Sequence, residues 1–401
     1  MESQERPAVQ ARMARLVLVT PDGSVVGCLP PIPVALPWWQ EVESVVQAAR
    51  EHHDIEVTIL RLLESARDRP QGGEVTYLAE VAKPVPADRW AGTIEAHSLR
   101  RHYAEPGGPA TDLDWAMRVL ASHGLAPTAK PVQVRSWNLS SVWRIPIGDQ
   151  SAWLKVVPPF LGHEGRVIAA LAGRSVPTLL GRDDSGRILL AEIPGDDLFE
   201  AALPQLLRMV TLLVEIQAWW IGRVDELRAM GLPDWSGPSL SAAIADVVQR
   251  TRKGLSADER TTLSRFVGGL EARFAEIDAC GLPNTLVHGD CHPGNFRGAE
   301  QQFTLLDWGD SGIGHPLLDQ PAFLDGVAPE HRETIRHHWY HEWSARVPGC
   351  DPVRASSLLA PIATARQAVI YQRFIDNIEP SEWAYHRDDP LDWLRRTTAL
   401  A

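Results

Sequence analysis

Long apolar runs are missing from this chain of 401 residues: none approaches the roughly 18–20 that a membrane-spanning helix needs. The stretch from Met1 to Val19 carries charges of both signs and no uninterrupted apolar segment before a small-residue cleavage site, so secretion is not expected. Cysteine is scarce. The four present (Cys28, Cys280, Cys291 and Cys350) show no C-x-x-C spacing, which suits reduced thiols and a cytoplasmic location. Positive charge is also in deficit, with 39 basic against 51 acidic residues and a net charge of −12. An acidic surface repels a phosphate backbone, which sets nucleic acid aside as a partner, and it would attract a cationic small molecule. No internal repeat is present.

Hydrophobic residues at 44% and charged residues at 22% describe a globular composition, and the length calls for two or three compact units. Residues 1–83 predict a small α+β unit. Its strands are Arg15–Thr20, Ser24–Leu29, Ile55–Leu63 and Glu74–Val81, with a turn at Pro21-Asp22-Gly23 and a helix over Trp39–His53 that places Val42, Val45, Val46 and Ala49 on one face. A Pro/Gly-rich linker is expected over 84–111. Asp112 is then a candidate N-cap for a helix over Leu113–His123, ending at Gly124. A strand-rich region fills the rest of 112–195, and helical patterning dominates 196–401.

The order β-β-α-β-β in residues 1–83, with Arg50-Glu51 closing the helix, resembles a Nudix hydrolase. The acidic pair that should follow is replaced by His52-His53-Asp54, so a non-catalytic cap or docking module is expected.

The decisive stretch is Leu286–Asp319, LVHGDCHPGNFRGAEQQFTLLDWGDSGIGHPLLD. Two apolar residues lead into His288-Gly289-Asp290, and Asn295 follows five positions after the aspartate. Phe296–Arg297 and Phe303–Leu306 can form a hairpin turning at Gly298–Gln301, which delivers Asp307. Asp290 on a loop can accept or orient a hydroxyl proton, while Asn295 and Asp307 offer hard oxygens of the kind Mg²⁺ takes. These residues closely resemble the aminoglycoside phosphotransferase and choline kinase-type branch of the protein-kinase-like fold, whose pattern is H-G-D-x-H-x-x-N followed by a metal-binding aspartate. His288, Gly289, Asp290, His292, Asn295 and Asp307 match in turn.

The resemblance implies an α+β, bilobal architecture, with a small β-rich lobe (112–195) and a larger helical lobe (196–401) following the N-terminal unit. It implies an ATP- and Mg²⁺-dependent kinase of a small hydroxylated molecule, with Asp290 as base and Asn295 and Asp307 as magnesium ligands. Asp319 would support the catalytic loop, His288 and His292 would brace it, and Cys291 would be packed rather than reactive.

On the nucleotide side, Lys155 in the strand Ser151–Val157 would hold the α- and β-phosphates, with Glu164 as its acidic partner. Ala191 and Ile193 would meet the adenine edge through their backbone. The phosphate-covering turn, 134–142, contains no glycine, so Ser136 and Ser140 are the candidate phosphate contacts there. Acceptor contacts are sought among Asp325, Trp339, Tyr371, Asp376, Asn377 and Glu379, whose acidic and aromatic groups suit an amino-bearing acceptor. His337 and His341 share a helix face, but no third ligand with metal spacing accompanies them. The competing reading is a kinase-like nucleotide-binding regulatory protein with weak or lost transfer. A protein kinase proper is disfavoured by H-G-D in place of H-R-D and by the absence of an A-P-E segment after Asp307.

Overall fold

The computed structural model describes residues 11–67, 69–299 and 302–401. Expectations touching Met1–Gln10, and the tip of the hairpin turn at 300–301, lie outside those residues. The chain divides into two compact units. The first holds residues up to Gly162, Leu180–Glu192 and Phe374–Arg387; the second holds His163–Leu179, Ile193–Arg373 and Asp388–Ala401.

Two sheets form the first unit. In one, β1 (Arg12–Val19) lies between β2 (Val25–Cys28) and β5 (Gly73–Glu80), β4 (Thr58–Ser65) pairs with β5, and β3 (Ile32–Val34) pairs with the start of β1. β1 is apolar on both faces because both are covered. Ala14, Leu16 and Leu18 join Val45, Ala49 and Tyr77 beneath helix α1 (Glu43–His53), while Val17 and Val19 meet Leu60, Leu78 and Trp90 on the other side. At the end of α1, Arg50 pairs with exposed Glu56, and Glu51 accepts from Gln47.

The segment expected as a linker is tied down. Cys28 and Asp88 exchange backbone hydrogen bonds, and a 3-10 turn forms at His102–Ala104. Helix α2 spans Gly108–Ser122, starting before the expected Leu113 because Gly107 takes a left-handed conformation and Pro109 fits the first turn. Asp112 therefore lies inside the helix. It is buried near Arg187 and His102, and burial pushes its carboxyl up to about 6.

The second sheet has the order β6-β7-β8-β10-β9, formed by β6 (Val132–Trp137), β7 (Ser140–Ile147), β8 (Gln150–Val156), β9 (Leu179–Arg182) and β10 (Arg187–Ala191). The two sheets are joined through β6. Val42 donates to the Val134 carbonyl, Arg135 pairs with Glu41, and the buried Gln133 amide both donates to and accepts from Ile59.

The second unit is mainly helical: α3 (Glu164–Ala170), α4 (Leu203–Trp219), α5 (Val224–Ala229), α6 (Gly237–Thr251), α7 (Ala257–Gly268), α8 (Leu270–Asp278), α9 (Gln320–Asp325), α10 (Pro329–Arg346), most of α11 (Pro352–Asp376) and α12 (Asp389–Thr398). Two small sheets sit among them. One has the order β11-β13-β14, with β11 (Asp196–Asp197), β13 (Phe296–Ala299) and β14 (Gln302–Leu305); the other pairs β12 (Thr285–Val287) with β15 (Gly312–Gly314). Among the described residues no helix is long and apolar enough to cross a membrane.

Candidate active site

β12 is buried along its length and ends at His288, so the chain leaves the core directly into the loop His288–Asn295. Asp319 fixes that exit from below. Its carboxylate accepts from the backbone N–H groups of His288 and Gly289, each at 2.8 Å, and from the Gln217 amide at 2.9 Å. Burial pushes the Asp319 carboxyl up, while His288, Arg366 and the two backbone donors oppose the shift. Gly289 is required here. Its φ is +95°, and a Cβ would lie 2.0 Å from the Asp310 carbonyl oxygen.

The loop then presents Asp290 with its side chain about half exposed, 49%. The Asn295 amide nitrogen donates to the Asp290 backbone carbonyl at 2.7 Å and lies 3.4 Å from its Oδ2. That orientation turns Asn295 Oδ1 outward as an acceptor. His292 Nδ1 accepts from the Gly294 N–H at 3.1 Å, which leaves Nε2 carrying the proton, 3.7 Å from Asp290 Oδ2.

β13 and β14 run antiparallel with Phe296 opposite Leu305, returning the chain beside the loop. Leu306 donates to the Asn295 carbonyl, and Leu306 in turn accepts from His288 Nε2 at 2.8 Å. Asp307 follows in a left-handed conformation, φ 57°, uncommon for a residue with a side chain and found at functional turns. The hairpin thus returns Leu306, and Asp307 after it, to the side of Asn295. A carboxylate and an amide oxygen are donors of the kind a hard divalent cation such as Mg²⁺ takes. Cys291 is fully buried, and burial pushes its thiol well up, as in a packed, unreactive cysteine.

Glu164 opens α3 and is buried; α3 packs against the turn Trp308–Asp310. The preceding His163 is held neutral by burial, at about 4, and is hydrogen-bonded by the backbone of Gly309 and Ser311. Lys155 lies on the central strand β8, opposite Val142 and Ile188, in the first unit. Ala191 ends β10 opposite Ala152. The Ile193 carbonyl accepts from Arg297 Nε at 2.9 Å.

The two serines are placed differently from expectation. The Ser136 hydroxyl is buried and donates to the Leu60 carbonyl at 3.1 Å, and the Ser140 hydroxyl accepts from the Trp137 indole N–H at 3.0 Å. Leu60 of the first sheet has claimed the polar group of Ser136, because β6 packs against β4. Three acceptor candidates also move. Asp376, Asn377 and Glu379 belong to the first unit, where Glu379 pairs with buried Arg61 and Arg100. Trp339 is core, edge-on to Phe323. Tyr371 is near the site: its phenol is pushed up mainly by burial, with the charges of Asp389, Asp290 and Asp310 adding to it. Of the α10 histidines, His337 pairs with Glu333 and His338 bonds Thr211.

Arg366 was not anticipated. It is fully buried on α11 and donates to the Gly289 carbonyl at 3.0 Å, with Asp319, Asp310 and Asp290 in electrostatic reach. Its signal in the sequence is that it is the one charged residue in the stretch Ala363–Ile370.

Residues 130–349 match the profile of the phosphotransferase enzyme family. No curated protein sequence is a significant match. Among solved structures, the chain is similar to a type I macrolide 2′-phosphotransferase, with a TM-score of 0.51 and 16% identity over 72% of this chain and 96% of that one. It is also similar to a choline/ethanolamine kinase family protein from Mesorhizobium loti (TM-score 0.50, 17% identity, 72% and 94% covered). A macrolide 2′-phosphotransferase from Brachybacterium faecium gives a TM-score of 0.50 at 18% identity, with 70% and 98% covered.

Proposed function

Because this chain belongs to the phosphotransferase enzyme family, we propose that it transfers the γ-phosphoryl group of ATP to a hydroxyl of a small molecule, with Asp290 as the base. The supporting observation is the Asn295 amide bonded to the Asp290 carbonyl in a loop anchored by Asp319, with Leu306, the residue before Asp307, bonded to Asn295. Asp290 orients the acceptor hydroxyl and takes its proton as the new O–P bond forms and the bond to the leaving ADP breaks. Asn295 and His292 hold the Asp290 carboxylate in one orientation, which limits the loss of alignment that a flexible loop would bring. Asn295 and Asp307 are the residues that would hold Mg²⁺, which neutralises charge growing on the phosphoryl oxygens. Lys155 is assigned to the nucleotide phosphates, and the backbone of Ala191 and of Ile193 to the adenine edge. An acidic chain suits a cationic acceptor.

The test is acceptor-dependent ADP release, with mass spectrometry for one added phosphate, on a panel of kanamycin, erythromycin and choline. Asp290→Asn is expected to lower turnover about 10²- to 10⁴-fold with the fold intact. Near-normal rates in that variant would remove Asp290 from its role.

A second reading, a nucleotide-binding regulator with weak transfer, draws on one observation: the hydroxyls of Ser136 and Ser140 are already engaged inside the first unit. Tight ATP binding with no product from the whole panel would favour it.

A further inference from the structure

Phe199 is the most exposed of the large apolar side chains in the described part of the chain, at 61%, and it stands beside the catalytic loop. Its position is built. β11 pairs with β13, and buried Leu198 donates to the Phe296 carbonyl. The Phe199 N–H is taken by Asp197 Oδ1 at 2.9 Å. This Asx turn fixes the backbone so that Leu198 points inward and Phe199 outward. The ring lies edge-on to His292, with centroids 6.5 Å apart and planes at 76°, and His292 Nε2 is 3.7 Å from Asp290 Oδ2. At Gly294, a Cβ would sit 2.7 Å from Phe199 Cδ2, so the loop has given up a side chain where the ring rests. A phenyl group is therefore held in solvent one imidazole away from the carboxylate that receives the acceptor hydroxyl. Single exposed apolar residues are ordinary on protein surfaces; one pinned by a turn against the reacting loop is not placed at random.

We propose that Phe199 forms one wall of the acceptor site and selects acceptors that carry an apolar face, a hydrocarbon ring or macrocycle edge, next to the hydroxyl being phosphorylated. The inference rests on the phosphotransferase reading of Asp290. A fully hydroxylated polyamine has only polar faces to offer the ring, so an apolar-faced amino alcohol is the preferred class. Covering most of a phenyl surface is worth about tenfold in affinity or more.

Full-length protein carrying Phe199→Ala and Phe199→Leu is compared with the parent by steady-state kinetics and by calorimetric titration with erythromycin and with kanamycin in the presence of ADP and Mg²⁺. The expected result is tighter parental binding of erythromycin than of kanamycin. Phe199→Ala should weaken erythromycin about tenfold, in KM where turnover is seen and in Kd in any case, with the KM for ATP moved less than twofold. Phe199→Leu, still apolar, should recover much of the loss. The inference is overturned if the parent binds erythromycin no better than kanamycin, if Phe199→Ala leaves erythromycin affinity unchanged, or if the KM for ATP rises instead. The two ideas fail separately: a parent that binds erythromycin through Phe199 but phosphorylates nothing removes the transfer reading and keeps the wall.

Discussion

Replacing Arg366 by methionine tests whether a buried cation holds the catalytic loop in place. The guanidinium is fully buried. Its Nη2 donates to the Gly289 carbonyl at 3.0 Å, while Nε and Nη1 have no hydrogen-bond partner among the described residues. Burial pulls the guanidinium pKa down, and Asp319, followed by Asp310 and Asp290, pulls it back up. Three terms set the size of the effect. A hydrogen bond from a charged donor contributes about 1.5–3 kcal/mol. Removing the cation also leaves Asp319 as a buried carboxylate with less electrostatic compensation, a loss smaller than the about 3–5 kcal/mol of breaking a directly bonded buried pair. Against these, the desolvation cost of the guanidinium disappears, and methionine fills much of its volume. The expected net loss is about 2–4 kcal/mol, read as a lower urea midpoint at unchanged m-value. Turnover should fall with it, because the Gly289 carbonyl immediately precedes Asp290. Asp319→Asn in the same background should recover part of the loss, giving a coupling energy of about 1 kcal/mol or more in a double-mutant cycle. A single variant within 0.5 kcal/mol of the parent, ~0.5 being the usual size of a neutral surface change, would refute the role given to Arg366.

Gly289→Ala should cost more than 2 kcal/mol, on the order expected for a left-handed backbone combined with a contact at 2.0 Å, and circular dichroism melting reads it. Glu382 is buried in the first unit, and burial pushes its carboxyl up to about 8. A folded pKa above the unfolded one means the native state binds the extra proton, so this group's contribution to stability falls as pH rises from about 4.5 through 8. Glu382→Gln should therefore raise Tm by a few degrees, roughly what 1 kcal/mol gives, at pH 9 and little at pH 5; an equal shift at both would sink this reading. His163 and His315 are held neutral by burial, at about 4 and about 3. Their folded values lie below the unfolded one, so stability is present above about pH 6.5 and is lost as pH falls toward 4 and 3. Proton uptake on unfolding at pH 5 should approach two from these residues, and calorimetry in buffers of different ionisation enthalpy measures it.

The corner proposed for catalysis is a local pattern in the sequence. Asp290, Asn295 and Asp307 lie within one loop and one hairpin, and a short apolar strand before each half fixes where the polar residues emerge. The support beneath them was only partly legible. Asp319 sits close in sequence and was anticipated, whereas Arg366 comes from a distant helix, and no local pattern says which carbonyl a buried guanidinium will meet. The strands of residues 12–80 followed their turns and alternation closely. The helix after them was misplaced at its start because two N-terminal signals compete: Asp112 is a good cap, but Gly107 and Pro109 open the helix earlier and leave the aspartate to be buried. Glu379 was among the candidate acceptor contacts. It is instead a buried ion-pair partner of Arg61 and Arg100, a pairing across some 280–320 positions that spacing alone does not reveal.

The missing glycine in the turn between β6 and β7 has a physical reason of the same long-range kind. A two-residue hairpin loop usually calls for positive φ, and glycine or asparagine supplies it. Among the described residues, however, the only non-glycine positions with positive φ are Asp54, Gln71 and Asp307, so Asn138 and Leu139 close this turn without it. What holds the turn is packing from the same unit. The Asn138 amide donates to the Glu382 carbonyl at 3.4 Å, its Oδ1 lies 3.2 Å from His386 Nε2, and Trp137 stands edge-on to Tyr385. Asn138 is 1% exposed and Leu139 8%. A turn clamped in this way has no need of a glycine's freedom and has few side-chain groups left for a ligand. An anion meeting this turn would be met by its backbone N–H groups.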